Sequence, residues 1–155
     1  QDFAVYDTAI EVKCQSGVSR PYFQISSLEQ MDAQLPLFYL VVHTLATAEP
    51  DNVDGFTLNA LVDRIRTALN AAGDASRELF ESLLFQAGYI HLDAYDETRF
   101  RCVATRVFEV TDKFPRLTPS IVPEGISKVS YQISLEACTP FEKELTFSQE
   151  KKDDH

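Results

Sequence analysis

Two carboxylates and one amine stand close together near the start of the sequence, at Asp2, Glu11 and Lys13. Carboxylate oxygens suit a hard cation such as Mg²⁺, which also keeps several waters. A cation bound there can orient a phosphate and lower the pKa of a bound water, while the Lys13 ammonium can hold that water and offset charge on the phosphate. The backbone carbonyl of Val12 is a natural third oxygen ligand. These residues therefore indicate phosphoryl chemistry with Mg²⁺ or Mn²⁺.

The three side chains come together only if the segments that carry them form a β-hairpin. Apolar residues alternate with polar or small ones on both sides of Asp7-Thr8, which predicts two strands joined by a turn at these two residues. Pairing Val5 with Ile10 then aligns Asp2 with Lys13, and alternate side chains share a face. We expect the apolar face to pack on the core. One face carries Asp2, Ala4, Glu11 and Lys13, and the apolar face carries Phe3, Val5, Ile10 and Val12.

The same residues allow other interpretations. Glu-x-Lys on a strand is common, and most instances form an ion pair at the protein surface. Asp7 could replace Asp2, although a turn position points it away from the face of Glu11. If the site is catalytic, we expect the Asp2 and Glu11 carboxylates to converge on one open face. Packing over that face would instead favour a purely structural interaction domain.

Further strands and helices must support the hairpin. A near-continuous apolar run from Leu37 to Leu45 predicts a central strand that is buried on both faces. Helical spacing of apolar residues predicts two helices, Thr57–Leu69 and Asp74–Ala87. Three domain ranges follow: a core over residues 1–56, the helical pair with a β-rich region over 57–141 packed on that core, and a tail over 142–155. The other predicted elements are a strand over 22–25, a short helix from Ser26 or Ser27 to about Gln34, strands over 100–110 and 129–137, and a Pro-rich loop between them.

The composition indicates a soluble, globular protein with an acidic surface. The chain has 155 residues, 45% of them hydrophobic, and a formal charge of −10. Proteins that clamp DNA usually spread basic residues over the contact face, so this charge argues against strong nonspecific DNA binding by the chain alone. We find no Gly-rich phosphate loop, HExxH, GxSxG or zinc spacing.

The location is expected to be cytoplasmic, without membrane contact. The sequence shows no signal peptide, no Asn-x-Ser/Thr acceptor and no apolar run that could span a bilayer. Three widely spaced cysteines, an odd number, favour reduced and mostly buried thiols; Cys14 is interpreted in this way, as a small buried side chain and not a nucleophile.

A few other polar residues are candidates for binding. Arg99 and Arg101 could follow a phosphate backbone, or they could be solvated partners of neighbouring acidic residues, which we favour. His43 is interpreted as a core histidine with a hydrogen-bond partner. His91, Asp93 and Asp96 have metal-like spacing, but an acidic turn explains them better.

The order Asp, then Glu-x-Lys on the next strand, then strand, helix and strand resembles the PD-(D/E)XK nuclease superfamily. The segments that carry the resemblance are DF, TAIEVK, ISSLEQMD, LFYLVVH, TLNALVDRIR, FQAGY and the long stretch VFEVTDKFPRLTPSIVPEGISKVSYQISLEAC. They are similar to a bacterial family of PD-(D/E)XK-motif proteins associated with restriction-modification-type defence loci, over nearly all of residues 2–141. Gln1 stands where the motif has proline, and members of the family have a long N-terminal half before this motif.

The resemblance implies a restriction-endonuclease-like α/β (α+β) fold, with a mixed sheet, flanking helices and a β-rich C-terminal extension. It places Asp2 and Glu11 as acidic metal ligands, Lys13 as the lysine of the motif and Gln30 as a supporting polar residue. The implied function is a Mg²⁺- or Mn²⁺-dependent DNA endonuclease of a restriction or phage-defence system, acting with protein partners or as a homo-oligomer. The alternative is a catalytically inactive nuclease-fold subunit for DNA binding or assembly.

Overall fold

A mixed sheet of four strands positions the residues near the start of the chain. The computed structural model describes residues 2–17 and 21–144. It divides the chain into two compact units, residues 1–45 with 103–155 and residues 46–102. The strands are β1 (Phe3–Val5), β2 (Thr8–Ser16), β3 (Tyr22–Ile25), β4 (Leu37–Thr47), β5 (Phe100–Glu109) and β6 (Tyr131–Ser134). The four-stranded sheet has the order β1-β2-β4-β5, and β3 pairs with β6.

Strands β2 and β4 form the parallel centre of this sheet. The register aligns Ala9 with Phe38, Glu11 with Leu40 and Lys13 with Val42. The residues from Phe38 to Val42 are buried, as predicted for a central strand. Together with the antiparallel β1–β2 pair, this parallel pair makes the sheet mixed and confirms the α+β class expected for a restriction-endonuclease-like fold.

The β1–β2 hairpin exists, but its turn lies one residue earlier than predicted. Val5 pairs with Thr8, so the loop residues are Tyr6 and Asp7, and Tyr6 adopts a left-handed φ of 54°. The pairing therefore shifts by two residues relative to the predicted alignment. A shift of two preserves the alternation of faces, so Ala4, Glu11 and Lys13 share one face as expected. Asp2, predicted for the same face, lies one residue before β1.

The core lies on the opposite face of the hairpin from the one predicted. Phe3 is 58% exposed and Val5 is also exposed. The main core instead packs against the face that carries Ala9 and Glu11 and the β4 residues paired with them. Ile10, on the predicted face, is nevertheless buried as well. The buried residues of this core are Ala9, Phe23, Ile25, Met31, Phe38, Leu40, Val42, Phe108, Val110, Phe114, Ile133 and Cys138.

A 3₁₀ turn over Leu28–Met31 follows β3 and contributes Met31 to the core. The predicted short helix from Ser26 or Ser27 is thus a single turn. The strand predicted over 129–137 is wrong at its C-terminal end: β6 stops at Ser134, and a short helix, α3 (Leu135–Cys138), takes its place. A further 3₁₀ turn, Thr139–Phe141, follows directly and contains Pro140.

The helices are α1 (Leu58–Leu69), α2 (Asp74–Gln86) and α3 (Leu135–Cys138). The Thr57 hydroxyl accepts the Ala60 amide hydrogen at 3.1 Å, which confirms Thr57 as the N-cap of α1. Gly88 ends α2 with a φ of 78°. In the described residues, none of the helices has the length and apolar character needed to cross a bilayer.

Two sequence expectations concern residues that the structure does not describe. The substitution of the motif's proline by Gln1 lies outside the described residues, and so does the predicted tail beyond residue 144. Glu142, at the start of that predicted tail, forms an ion pair with Arg106 at 2.7 Å. The domain ranges 1–56, 57–141 and 142–155 stay predictions.

Candidate active site

Strand β2 places Glu11 and Lys13 side by side on the core face of the sheet. The Lys13 Nζ atom lies 2.8 Å from Glu11 Oε1. The side chain of Glu11 is 3% exposed and that of Lys13 is 15% exposed. This ion pair is therefore enclosed, in contrast to the surface pair that the Glu-x-Lys spacing most often forms.

Gln30 completes a contact between the sheet and the 3₁₀ turn. Its Oε1 atom accepts a hydrogen bond from Lys13 Nζ at 2.9 Å and a second from the Ser26 amide at 2.9 Å. Two donors on one oxygen fix the orientation of the Gln30 amide. The structure thus brings together three of the predicted site residues, Glu11, Lys13 and Gln30.

Asp2 lies one residue before β1, at the open edge of β2. Its backbone amide donates to the Ile10 carbonyl at 3.0 Å, and its Oδ2 atom accepts from the Val12 amide at 2.7 Å. The Ile10 carbonyl and the Val12 amide belong to the two peptide groups that enclose Glu11. Because the N–H and C=O of one strand residue point to the same side, the Val12 carbonyl is directed to the edge where Asp2 lies.

Access to these carboxylates is unequal. Asp2 is exposed, but Glu11 is 2% exposed as a whole residue, so the face that carries Glu11 is largely covered. This covering is the condition that we associated with a structural role. Within residues 2–17 and 21–144, no group of three or more His, Cys, Asp or Glu side chains could hold a metal ion. A cation would need the Val12 carbonyl and waters besides Asp2 and Glu11, a mixed oxygen set that suits Mg²⁺.

The two arginines considered for phosphate contact have different surroundings. Arg99 Nη2 donates to the carbonyls of Gly55 at 2.6 Å and Asn52 at 3.3 Å, so its guanidinium holds the acidic loop before α1. Arg101 is exposed. The Arg99 guanidinium is thus engaged with backbone carbonyls.

The other polar candidates have local roles. His43 Nδ1 lies 2.8 Å from the Thr105 hydroxyl, as expected for a histidine with a hydrogen-bond partner. Asp96 accepts hydrogen bonds from the side chains of Thr57 at 2.5 Å and Asn59 at 2.8 Å, and these bonds lower the pKa of Asp96. Asp96 thus supports the N-terminus of α1, which agrees with our preference for a structural turn.

The cysteines differ from the expectation of mostly buried thiols. Cys14 and Cys102 are exposed, and Cys138 is buried. The interpretation of Cys14 as a buried side chain is wrong, because Cys14 lies on the face of β2 opposite to Lys13 and the core. Burial raises the pKa of Cys138 to about 11, so this thiol remains protonated and unreactive near neutral pH.

Sequence reasoning missed two groups that support the site. One is the backbone amide of Ser26, which shares Gln30 Oε1 with Lys13. The other is Arg116, whose Nη1 atom donates to the carbonyl of Met31, the residue after Gln30, at 2.7 Å. The Ser26 donor is a backbone amide, which any residue type provides, so the sequence does not reveal it. Arg116 is 85 residues away from Met31, so no local sequence pattern connects the two.

Comparison with known protein families gives a match over most of the chain. The model of a family described as "Putative PD-(D/E)XK family member, (DUF4420)" matches residues 1–136 of the 155. No curated protein and no solved structure matches the chain. The matched range contains β1, β2, the 3₁₀ turn and Arg116, and therefore every residue described around the Glu11–Lys13 pair.

Proposed function

The chain belongs to the DUF4420 family of PD-(D/E)XK proteins, and on this premise we propose that it is a metal-dependent DNA endonuclease. The observation that carries the proposal is the enclosed contact of Glu11, Lys13 and Gln30, with Asp2 bound to the next peptide group. Burying an ion pair costs desolvation free energy and seldom stabilises a fold. A buried pair at the positions of the nuclease motif is therefore better explained by chemistry than by stability.

Each residue of the candidate site would have a distinct role in catalysis. Asp2, Glu11 and the Val12 carbonyl would hold Mg²⁺ or Mn²⁺. When bound, the cation supplies positive charge beside the phosphate and lowers the pKa of the attacking water. Lys13 would hold that water by donating a hydrogen bond and would offset negative charge on the phosphate. Gln30 keeps the Lys13 ammonium on this side of the sheet through its 2.9 Å hydrogen bond.

We place this activity in the cytoplasm of a bacterium, in a restriction or phage-defence system that acts with protein partners or as a homo-oligomer. The support is the resemblance of the FPR segment and its neighbours to proteins of such loci. A formal charge of −10 agrees with a need for partners, because the chain alone offers few cations to the DNA backbone.

The second candidate is a nuclease-fold subunit without activity, which would bind DNA or assemble a complex. The specific observation in its favour is the 2% exposure of Glu11. A carboxylate this enclosed must become accessible before it can contact a cation together with Asp2. The two candidates differ in whether the chain cuts DNA at all.

Cleavage of supercoiled plasmid in Mn²⁺ or Mg²⁺ separates them. We expect the unaltered protein to nick the plasmid and chelation by EDTA to stop it. Glu11→Gln and Lys13→Met should each reduce the rate by about 100-fold or more, as for loss of a group that stabilises transition-state charge. Glu78→Gln and Lys113→Met, at exposed positions, serve as matched controls and should cut normally.

Two results would count against nuclease activity. One is equal cleavage by the unaltered protein and by Glu11→Gln, which would assign the cutting to a contaminant or another site. The other is DNA binding without cleavage in either metal, which would support the inactive subunit. Circular dichroism of each variant confirms that a loss of cleavage is not a loss of fold.

A further inference from the structure

Arg116 joins the Pro-rich segment to the 3₁₀ turn that carries Gln30. Its Nη1 atom donates to the Met31 carbonyl at 2.7 Å, and its side chain is 18% exposed. Met31 is the last residue of the turn and is fully buried in the core. A charge-assisted hydrogen bond of this kind is stronger than one between neutral groups. The position of the turn therefore depends on a residue far along the chain.

The segment that carries Arg116 is itself fixed. The Tyr131 hydroxyl donates to the Leu117 carbonyl at 3.2 Å and accepts from the Leu117 amide at 3.0 Å. Tyr131 begins β6, which pairs with β3 immediately before the turn. The backbone on either side of the guanidinium contact is thus held by the same small sheet.

Ion pairing does not explain why an arginine stands at this position. The carboxylate that pairs with it, Asp112, lies 3.8 Å away with a fully exposed side chain. Exposed pairs of this kind contribute little to stability, because water and salt screen them. The short hydrogen bond to the Met31 carbonyl is the closer contact and is much less exposed to water.

We propose that Arg116 is a positioning residue for the candidate active site. By holding the Met31 carbonyl, it sets the location of Gln30, and Gln30 in turn holds the Lys13 ammonium beside Glu11. The proposal rests on the proposed function only in the claim that this placement affects cleavage. The placement itself concerns side chains of the folded protein and is measurable without any activity.

The test compares Arg116→Met with Arg106→Met. Arg106 is a matched control: it lies in the same unit, its side chain is 30% exposed, and it binds Glu142 and Thr139 and not the turn. In NMR spectra of the full chain, the side-chain amide signals of Gln30 and the Cε signal of Lys13 report the contact directly. We expect Arg116→Met to shift both sets of signals and Arg106→Met to leave them in place.

Arg116→Lys restores a charged donor at this position. A purely structural role of Arg116 would not predict that the Gln30 signals recover in this variant. Its ammonium can still donate to the Met31 carbonyl, so the Gln30 signals should return toward their original positions. In the plasmid assay, Arg116→Met should lower kcat by about 10-fold or more with KM unchanged, as for residues that orient the groups next to the chemistry. The lysine variant should recover part of this loss.

Unchanged Gln30 and Lys13 signals in a folded Arg116→Met variant would overturn the proposal. If Arg116→Met does not fold, Arg116→Lys and Arg116→Gln take its place: Gln30 signals equal to those of the unaltered protein in Arg116→Gln would overturn it. Absence of cleavage by the unaltered protein would refute the proposed function, while the NMR comparison would still decide the role of Arg116.

Discussion

Glu11 and Lys13 form an ion pair whose side chains are almost entirely withdrawn from water. Removing one partner of such a pair leaves an unpaired buried charge and costs about 3–5 kcal/mol, whereas removing both partners costs much less. The Glu11–Lys13 contact therefore affects the free energy of unfolding as well as the proposed cleavage. A double-mutant cycle measures the first effect separately.

We predict that Glu11→Gln and Lys13→Met each lower the free energy of unfolding, and that the double variant is more stable than the sum of the two losses implies. The reason is that the double variant buries no unpaired charge. Urea unfolding followed by circular dichroism measures all four proteins. Strictly additive losses would show that the two side chains do not interact, contrary to the 2.8 Å separation.

At the scale of elements, the β1–β2 hairpin decides which side chains reach the site. Alternation of apolar and polar residues was enough to predict both strands and the face shared by Glu11 and Lys13. The turn position was not predictable from alternation. A left-handed φ is usually adopted by Gly, Asn or Asp, and here a tyrosine, Tyr6, adopts it. Alternation predicts an apolar face but not its packing: Phe3 and Val5 are exposed, whereas Ile10 on the same face is buried.

The turn allows a test of its own. Tyr6 is 74% exposed and has a φ of 54°, a conformation that asparagine tolerates better than tyrosine does. We predict that Tyr6→Asn raises the free energy of unfolding by about 1 kcal/mol. Tyr6→Ala is the matched control, since it removes the ring but keeps the unfavourable φ, and it should give no gain. Equal stabilities of Tyr6→Asn and Tyr6→Ala would contradict the observed turn.

At the scale of the whole molecule, the sequence predicts the order of most elements and the residue types of the site. Strand β4 and helix α1 agree with the expectations from hydrophobic pattern. Contacts between distant residues, such as Arg116 with Met31, depend on the folded arrangement and leave no periodic signal. The exposure of Glu11 likewise depends on tertiary packing that no local pattern encodes.

The overall charge also matters at this scale. The chain has 24 acidic and 14 basic residues, so a cation at Asp2 and Glu11 would reduce the repulsion between the site and a phosphate. The proposed chemistry and the approach of DNA therefore both depend on cation binding by this pair of carboxylates.

Calorimetric titration with Mn²⁺ measures cation binding by Asp2 and Glu11. It compares the unaltered protein with Lys13→Ala, with the double change Asp2→Ala and Glu11→Ala, and with a control double change at the exposed residues Asp93 and Glu97. We predict binding by the unaltered protein, Lys13→Ala and the control, and loss of binding in the Asp2 and Glu11 double variant alone. Absence of binding in the unaltered protein, or undiminished binding in that double variant, would contradict cation binding by these carboxylates.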